Sequence, residues 1–308
     1  MNRRLLVVVL TLLLSPLPGS AWWVKGHAAI TEAAVSRLPE ELPAFFRAAG
    51  KQIGYLSGEP DRWKNRETPF LRTAESPDHY IDLEDYKGQE LPPDRYKAAK
   101  LILDLGGSPE RAGMLPYAIM EHFDRLTIAY YDYRQFLDRS ARLKANGRQL
   151  TPAEKADLEA EQSALEMKCI VYAGVLAHYA GDAVMPLHTT VDYDGRTAIR
   201  DAEGRKLQQG IHAKIDAFPE KNGFTAEEIG REVEPRFLED VWKHVKAVIL
   251  ESHGHIDRCY ALDAAGAFDR PTEESRQFIL HHCRRGAQLL ADLYVTAWRR
   301  SEKLPPSF

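Results

Sequence analysis

The chain has 308 residues, with 41 Lys and Arg against 45 Asp and Glu, for a formal charge of −4. That balance excludes a chain-wide basic footprint for nucleic acid. Three cysteines are too few for a disulfide scaffold. Cys259 could pair with Cys283 in an oxidising compartment; buried free thiols are the alternative.

Residues 1–21 read as a secretory signal peptide: Arg3 and Arg4 precede an apolar run from Leu5 to Leu14, and Gly19, Ser20 and Ala21 form a small-residue cleavage site. The run is too short for a membrane span, and no later segment approaches that length, so no transmembrane anchor is expected. Cleavage after Ala21 makes Trp22 the new terminus and leaves 39 basic against 45 acidic residues, or −6. The expected location is secreted or periplasmic. Residues 22–308 contain no low-complexity linker and are long enough for one large domain.

Thr31 opens a helical pattern that stops near Pro39, and Glu41 to Gly50 reads as a second, short helix. From Ser57 to Pro93 the prolines and glycines predict mostly loop; Asp61 and His79 lie within it. Leu115 to about Leu137 is amphipathic, and Thr151-Pro152-Ala153-Glu154 combines a capping box with proline at the first helical position. Asp192 to Lys206 reads as a polar loop. Glu227–Leu250 and Glu273–Arg300 are two further amphipathic stretches. No segment reads as a sheet. The expected fold class is all-α, a bundle of about seven or more helices.

Chemistry concentrates in His178-Tyr179-Ala180-Gly181-Asp182-Ala183-Val184-Met185-Pro186-Leu187-His188. On a helix, His178 and Asp182 project from one face, one turn apart. Pro186 then ends or kinks that helix, and His188 returns toward the same end. Imidazole, carboxylate and imidazole so spaced form a ligand set of the kind zinc takes. His212 and Asp216 repeat the four-residue spacing. Asp61 and His79 add a carboxylate and an imidazole, and Gly26-His27 follows closely on Trp22. His122, His244, His253, His255, His281 and His282 fall outside this pattern.

Trp22, His27, Asp61, His79, His178, Asp182, His188, His212 and Asp216 stand in the order used by the superfamily that joins zinc-dependent phospholipases C to single-strand nucleases of the S-one and P-one types. The chain resembles that superfamily from Trp22 to Asp216. The resemblance implies three Zn2+ ions. One takes Asp61, His79, His178 and Asp182; a second takes His188, His212 and Asp216; the third takes His27, the bridging Asp182, and the amine and carbonyl of Trp22. An α-amine loses its proton near neutral pH far more readily than lysine, so signal removal would complete the site. The implied reaction is phosphodiester hydrolysis by a zinc-bound hydroxide, with Asp61 and Lys64 as catalytic residues. No stable protein partner is implied.

The substrate is expected to be a phospholipid or single-stranded nucleic acid. Tyr80 and Asp82 match an aromatic and an acid that hold a base in the nucleases, and Lys64 matches a basic residue near the scissile phosphate. Against the nucleases, Tyr193-Asp194-Gly195-Arg196 stands where Gly-Gly-Asn is usual, and Ile215 where Trp is usual. Gln209 to Lys214 is more similar to phospholipase C, yet Lys25, Arg62 and Ser76 replace the acid and two aromatics of its choline pocket. These changes favour a phospholipase C-like enzyme with a different, more anionic headgroup. A nuclease is the alternative, and a non-catalytic zinc-stabilised helical protein is the alternative of another class.

Overall fold

Helices dominate the computed structural model, which describes residues 22–147 and 149–306. The expected signal segment and its cleavage point after Ala21 lie outside the described residues.

Helix α1 (Val24–Ser36) begins earlier than the pattern from Thr31 predicts, because Gly26 and His27 face inward and are buried. The short helices α2 (Ala44–Ala48) and α3 (Gly50–Leu56) follow. The segment expected to be mostly loop is more ordered than its prolines suggest. It holds α4 (Glu59–Trp63) and α5 (Pro69–Glu75), each with proline in the first turn, and 3₁₀ turns at Ser76–His79 and Leu83–Tyr86. Proline there costs nothing, since the first-turn N–H groups lack helical acceptors anyway. Next come α6 (Arg95–Asp104), capped by the Asp94 side chain, and α7 (Pro109–Ala112).

Two long helices form the spine. α8 runs Leu115–Ala145 and α9 runs Pro152–Asp182. The α9 start carries the capping box read from Thr151 and Glu154, and the helix continues without a break to the candidate ligands. A 3₁₀ turn at Pro186–His188 follows. One expectation fails here: the polar stretch after Asp192 is not wholly loop. Arg196–Arg200 and Lys206–Leu207 pair as a small antiparallel sheet, with the chain reversing between them through Gly204 at φ +78°. α10 (Ile211–Lys221) comes next. The stretch from Glu227 to Leu250 is not one helix but two, α11 (Ala226–Gly230) and α12 (Val241–His253). α13 (Ile256–Ala264) and α14 (Glu273–Ser301) complete the chain.

The core lies where α8, α9 and α14 pack with α1 and α3. Phe46 sits edge-on to Tyr130 and Tyr294, with ring centroids 5.3 and 5.2 Å away. The Tyr294 hydroxyl donates to the Ala173 carbonyl at 2.8 Å, which ties α14 to α9. Gly174 lets α3 approach α9: a Cβ there would meet Leu56 Cβ at 2.4 Å. That approach delivers Ser57, at the end of α3, to His178. The three cysteines are buried and unpaired, which removes the Cys259–Cys283 bridge from consideration.

His122 on α8 stacks on Tyr179, with centroids 5.2 Å apart, and its Nδ1 finds no hydrogen-bond partner. Burial, with Arg125 and Arg95 nearby, holds its pKa down to about 3. The neutral ring therefore contributes stability that is present above its unfolded pKa, near 6.5, and is lost as pH falls toward 3. His122→Phe should flatten the acid limb, gaining about 1–2 kcal/mol on the wild type between pH 7 and pH 4.5. Urea midpoints at the two pH values check this.

Candidate metal centre

Side chains from six elements converge at the C-terminal end of α9. His178 and Asp182 occupy its last turns, buried and facing the same way, with His178 Nε2 3.3 Å from Asp182 Oδ2. His27 comes from α1 and stacks on His178 at 4.1 Å between centroids. Gly181 makes room for it, because a Cβ at that position would lie 2.7 Å from His27 Nδ1. Asp61 arrives on α4, and His79 at the end of the first 3₁₀ turn. His188 ends the turn that Pro186 starts, while His212 and Asp216 sit one turn apart on α10.

Backbone carbonyls orient the imidazoles. A carbonyl can only accept, so the contacting ring nitrogen must carry the proton. His178 Nδ1–H donates to Ser57 O at 2.7 Å, His188 Nδ1–H to His79 O at 2.6 Å, and His212 Nδ1–H to Tyr193 O at 3.2 Å. In each neutral ring the lone pair then lies on Nε2, aimed inward. His188 Nε2 and His212 Nε2 face each other at 3.2 Å, and His178 Nε2 stands 2.9 Å from His79 Nδ1. The lone pairs of His188 and His212 repel at that distance unless a cation lies between them, whereas His79 can satisfy His178 by carrying its proton on Nδ1. A proton or a metal ion would serve.

The carboxylates show the same deficit. Both oxygens of Asp61, both of Asp216 and Oδ1 of Asp182 are buried without a well-aligned hydrogen bond, although Lys64 stands against Asp61 and His212 against Asp216; both nitrogens of His27 and Nε2 of His79 lack one as well. Buried polar atoms without partners cost free energy, and so many in one place are what metal ligands look like without their metal. The residues fit a dication well. Ligand atoms fall into three groups, each within 4.8 Å: His27, His178 and Asp182; Asp61, His79 and His178; His188, His212 and Asp216, the first two sharing His178. These groups could hold metal ions. None of the six other histidines joins such a group, although the rings of His255, His281 and His282 lie 5.1 to 5.9 Å apart.

Protonation follows the same geometry. Burial raises the Asp61 carboxyl, but His178, Lys64 and His79 outweigh it and bring the pKa to about 2. Burial likewise opposes ionisation of Asp182, yet His178 and His188 hold it well below the usual carboxylate range. Burial lowers His79 to about 4, with Lys64 adding to the effect, and lowers His188 to about 3. Asp216 is pushed up to about 6 by burial, against the pull of His212.

Every side chain read from the sequence as a ligand is here. Trp22 is fully buried, its indole N–H donating to Gly181 O at 3.0 Å, one residue from Asp182. Lys64 Nζ lies 2.6 Å from Asp61 Oδ1. A cleft of about 550 Å³ opens over His79, His188 and His212, and Lys64, Tyr80 and Asp82 line it. The Tyr80 hydroxyl donates to Glu110 O at 2.6 Å, which fixes the ring as part of the wall. Burial, with Glu84 and Asp85, pushes the Asp82 carboxyl up to about 8.

Two expected pocket positions fall elsewhere. Lys25 pairs with Glu220 at 2.7 Å, and Arg62 pairs with Glu59 while lying over the Tyr55 ring. Only Ser76 of that trio lines the cleft. The cleft draws its other cations from Arg72 and Arg111, which sequence reasoning missed. No spacing signal could have found them, since α5 and α7 meet at the cleft only through the fold. No family model matches this chain, and no curated protein matches it significantly.

Adding Zn2+ at about 100 times its dissociation constant to metal-depleted protein should raise the melting temperature by roughly 5 °C. Asp182→Asn should remove most of that rise and lower the bound metal found by elemental analysis. An unchanged melting temperature with wild-type protein would show that the cluster takes protons only.

Proposed function

We propose that the protein is a zinc-dependent phosphodiester hydrolase of the phospholipase C and single-strand nuclease type. The observation that carries this reading is the cluster of buried imidazoles and carboxylates, many of their atoms without a hydrogen bond, directly beneath a cation-lined cleft. Three groups of ligand atoms suit three ions, and Asp182, which the resemblance makes a bridge, has Oδ1 toward His27 and His188 and Oδ2 toward His79 and His178. Zn2+, when bound, supplies an activated water near neutral pH and neutralises charge on the diester.

The remaining roles belong to the chain itself. Lys64, held against Asp61, places a positive charge at the cleft floor where a phosphate oxygen would lie. Asp61, ionised across the neutral range, keeps Lys64 oriented. The carbonyls of Ser57, His79 and Tyr193 fix the imidazoles, so little reorganisation is left for the reaction itself. Trp22 would contribute its α-amine once residues 1–21 are removed, since its ring already packs against Gly181.

On substrate, the phospholipase C-like form with a headgroup other than choline is the first reading, because cations rather than an aromatic cage line the cleft. The nuclease reading is favoured by two tyrosine rings, Tyr80 and Tyr193, in the same wall. Stacking on one base contributes about 1–3 kcal/mol.

Zinc-loaded protein should turn over bis(p-nitrophenyl) phosphate, and Lys64→Ala should lower kcat/KM by about 10- to 100-fold. His281→Ala should remain near wild type. Inactivity of fully zinc-loaded protein on this diester, phospholipid vesicles and single-stranded DNA alike would leave a zinc-stabilised helical protein. Phospholipid alone, or DNA alone, being cut decides between the two enzyme readings.

Protein beginning at Trp22 should also bind more zinc than protein retaining Ala21, by about one ion per chain if the amine is a ligand. Elemental analysis of the two forms measures this, and equal content refutes a role for the terminus.

A further inference from the structure

The cations over the candidate site are not equivalent. Lys64 is committed to Asp61 at 2.6 Å. Arg72 on α5 and Arg111 on α7 line the same cleft, and neither has an acidic side chain within 4.0 Å among the described residues. Other exposed arginines, Arg66 among them, also lack a carboxylate partner among the described residues, but Arg72 and Arg111 are the two arginines that line the cleft. Arg95 is clasped between Asp78 and Glu121, Arg62 is held by Glu59, and Arg196 by Asp257 and Asp192. In a chain with more acids than bases, two guanidinium groups at one opening have been left without carboxylates.

We infer that the cleft binds a phosphodiester carrying a second phosphate group, and that Arg72 and Arg111 hold that second group. This rests on the diesterase reading above and narrows its substrate class. A phosphomonoester carries close to two negative charges at neutral pH, which two arginines would balance. The planar guanidinium fork matches phosphate oxygens in pairs. The scissile diester, by contrast, is served by the buried cluster and Lys64, so it does not need the arginines. At about 550 Å³ the cleft is far larger than one phosphate requires and has room for a nucleotide- or headgroup-sized molecule. A cationic or neutral leaving group would face two unmatched positive charges there.

The test compares soluble diesters in pairs that differ only by the extra phosphate. One pair is dithymidylate with and without a 5′-phosphate; the other is glycerophosphoinositol with and without a phosphate on its ring. In whichever pair is cleaved, the phosphorylated member should have a kcat/KM about tenfold higher. Arg72→Ala and Arg111→Ala should each shrink that ratio severalfold, while the remote Arg231→Ala leaves it unchanged. The nucleotide pair responding points to nucleic-acid ends, and the inositol pair to a phosphorylated lipid headgroup.

A second readout does not need turnover. Calorimetric titration of metal-depleted protein should show tighter binding of the phosphorylated member, with the difference lost in the two arginine variants. A ratio of one in both measurements, with bis(p-nitrophenyl) phosphate still hydrolysed, overturns the arginine subsite and leaves the diesterase reading standing. Loss of all diester hydrolysis with phosphate-dependent binding retained sinks the diesterase reading instead.

Discussion

Asp182 is buried among imidazoles, with His79, His178, His27 and His188 at 3.1, 3.3, 3.4 and 3.7 Å. An ionised carboxylate with no access to water needs compensating charge, and the surrounding rings supply it only if cations, protons or metals, lie among them. Most of the architecture can be read as the means of bringing those groups to one point. α9 presents the carboxylate, α1 stacks an imidazole against its last turns, and α3 closes over Gly174 so that Ser57 can orient His178. The cost of so many unpartnered polar atoms is met by the apolar spine of α8, α9 and α14.

Two pairs in the candidate cluster were legible in the sequence because each obeys a local rule. His178 with Asp182, and His212 with Asp216, depend only on helical periodicity, and Pro186 marks where α9 must stop. The start of α9 was equally plain from Thr151 and Glu154. That Asp61 and His79 join the others is a tertiary fact; only their order along the chain hinted at it.

Where sequence reasoning failed, the reasons are also physical. Prolines in Ser57–Pro93 suggested loop, but proline in a helical first turn is compatible with helix, and α4, α5 and the 3₁₀ turn at Ser76–His79 each carry one there. The strands at Arg196–Arg200 and Lys206–Leu207 are short and exposed, so no alternation of apolar residues announces them. Lys25 and Arg62 were assigned to a pocket by position alone, whereas Glu220 and Glu59 capture them first. Arg72 and Arg111 carry no motif; only the fold brings them to the cleft.

The outer nitrogens of His178, His188 and His212 all rest on main-chain oxygen. Peptide carbonyls are present whatever residue occupies positions 57, 79 or 193, so drift in those side chains cannot by itself unhinge the rings. Only displacement of the chain trace at those points would let them turn. The cluster is thereby insulated from much of the mutational noise around it, and variation can accumulate in the cleft walls while the orientation of these three rings persists.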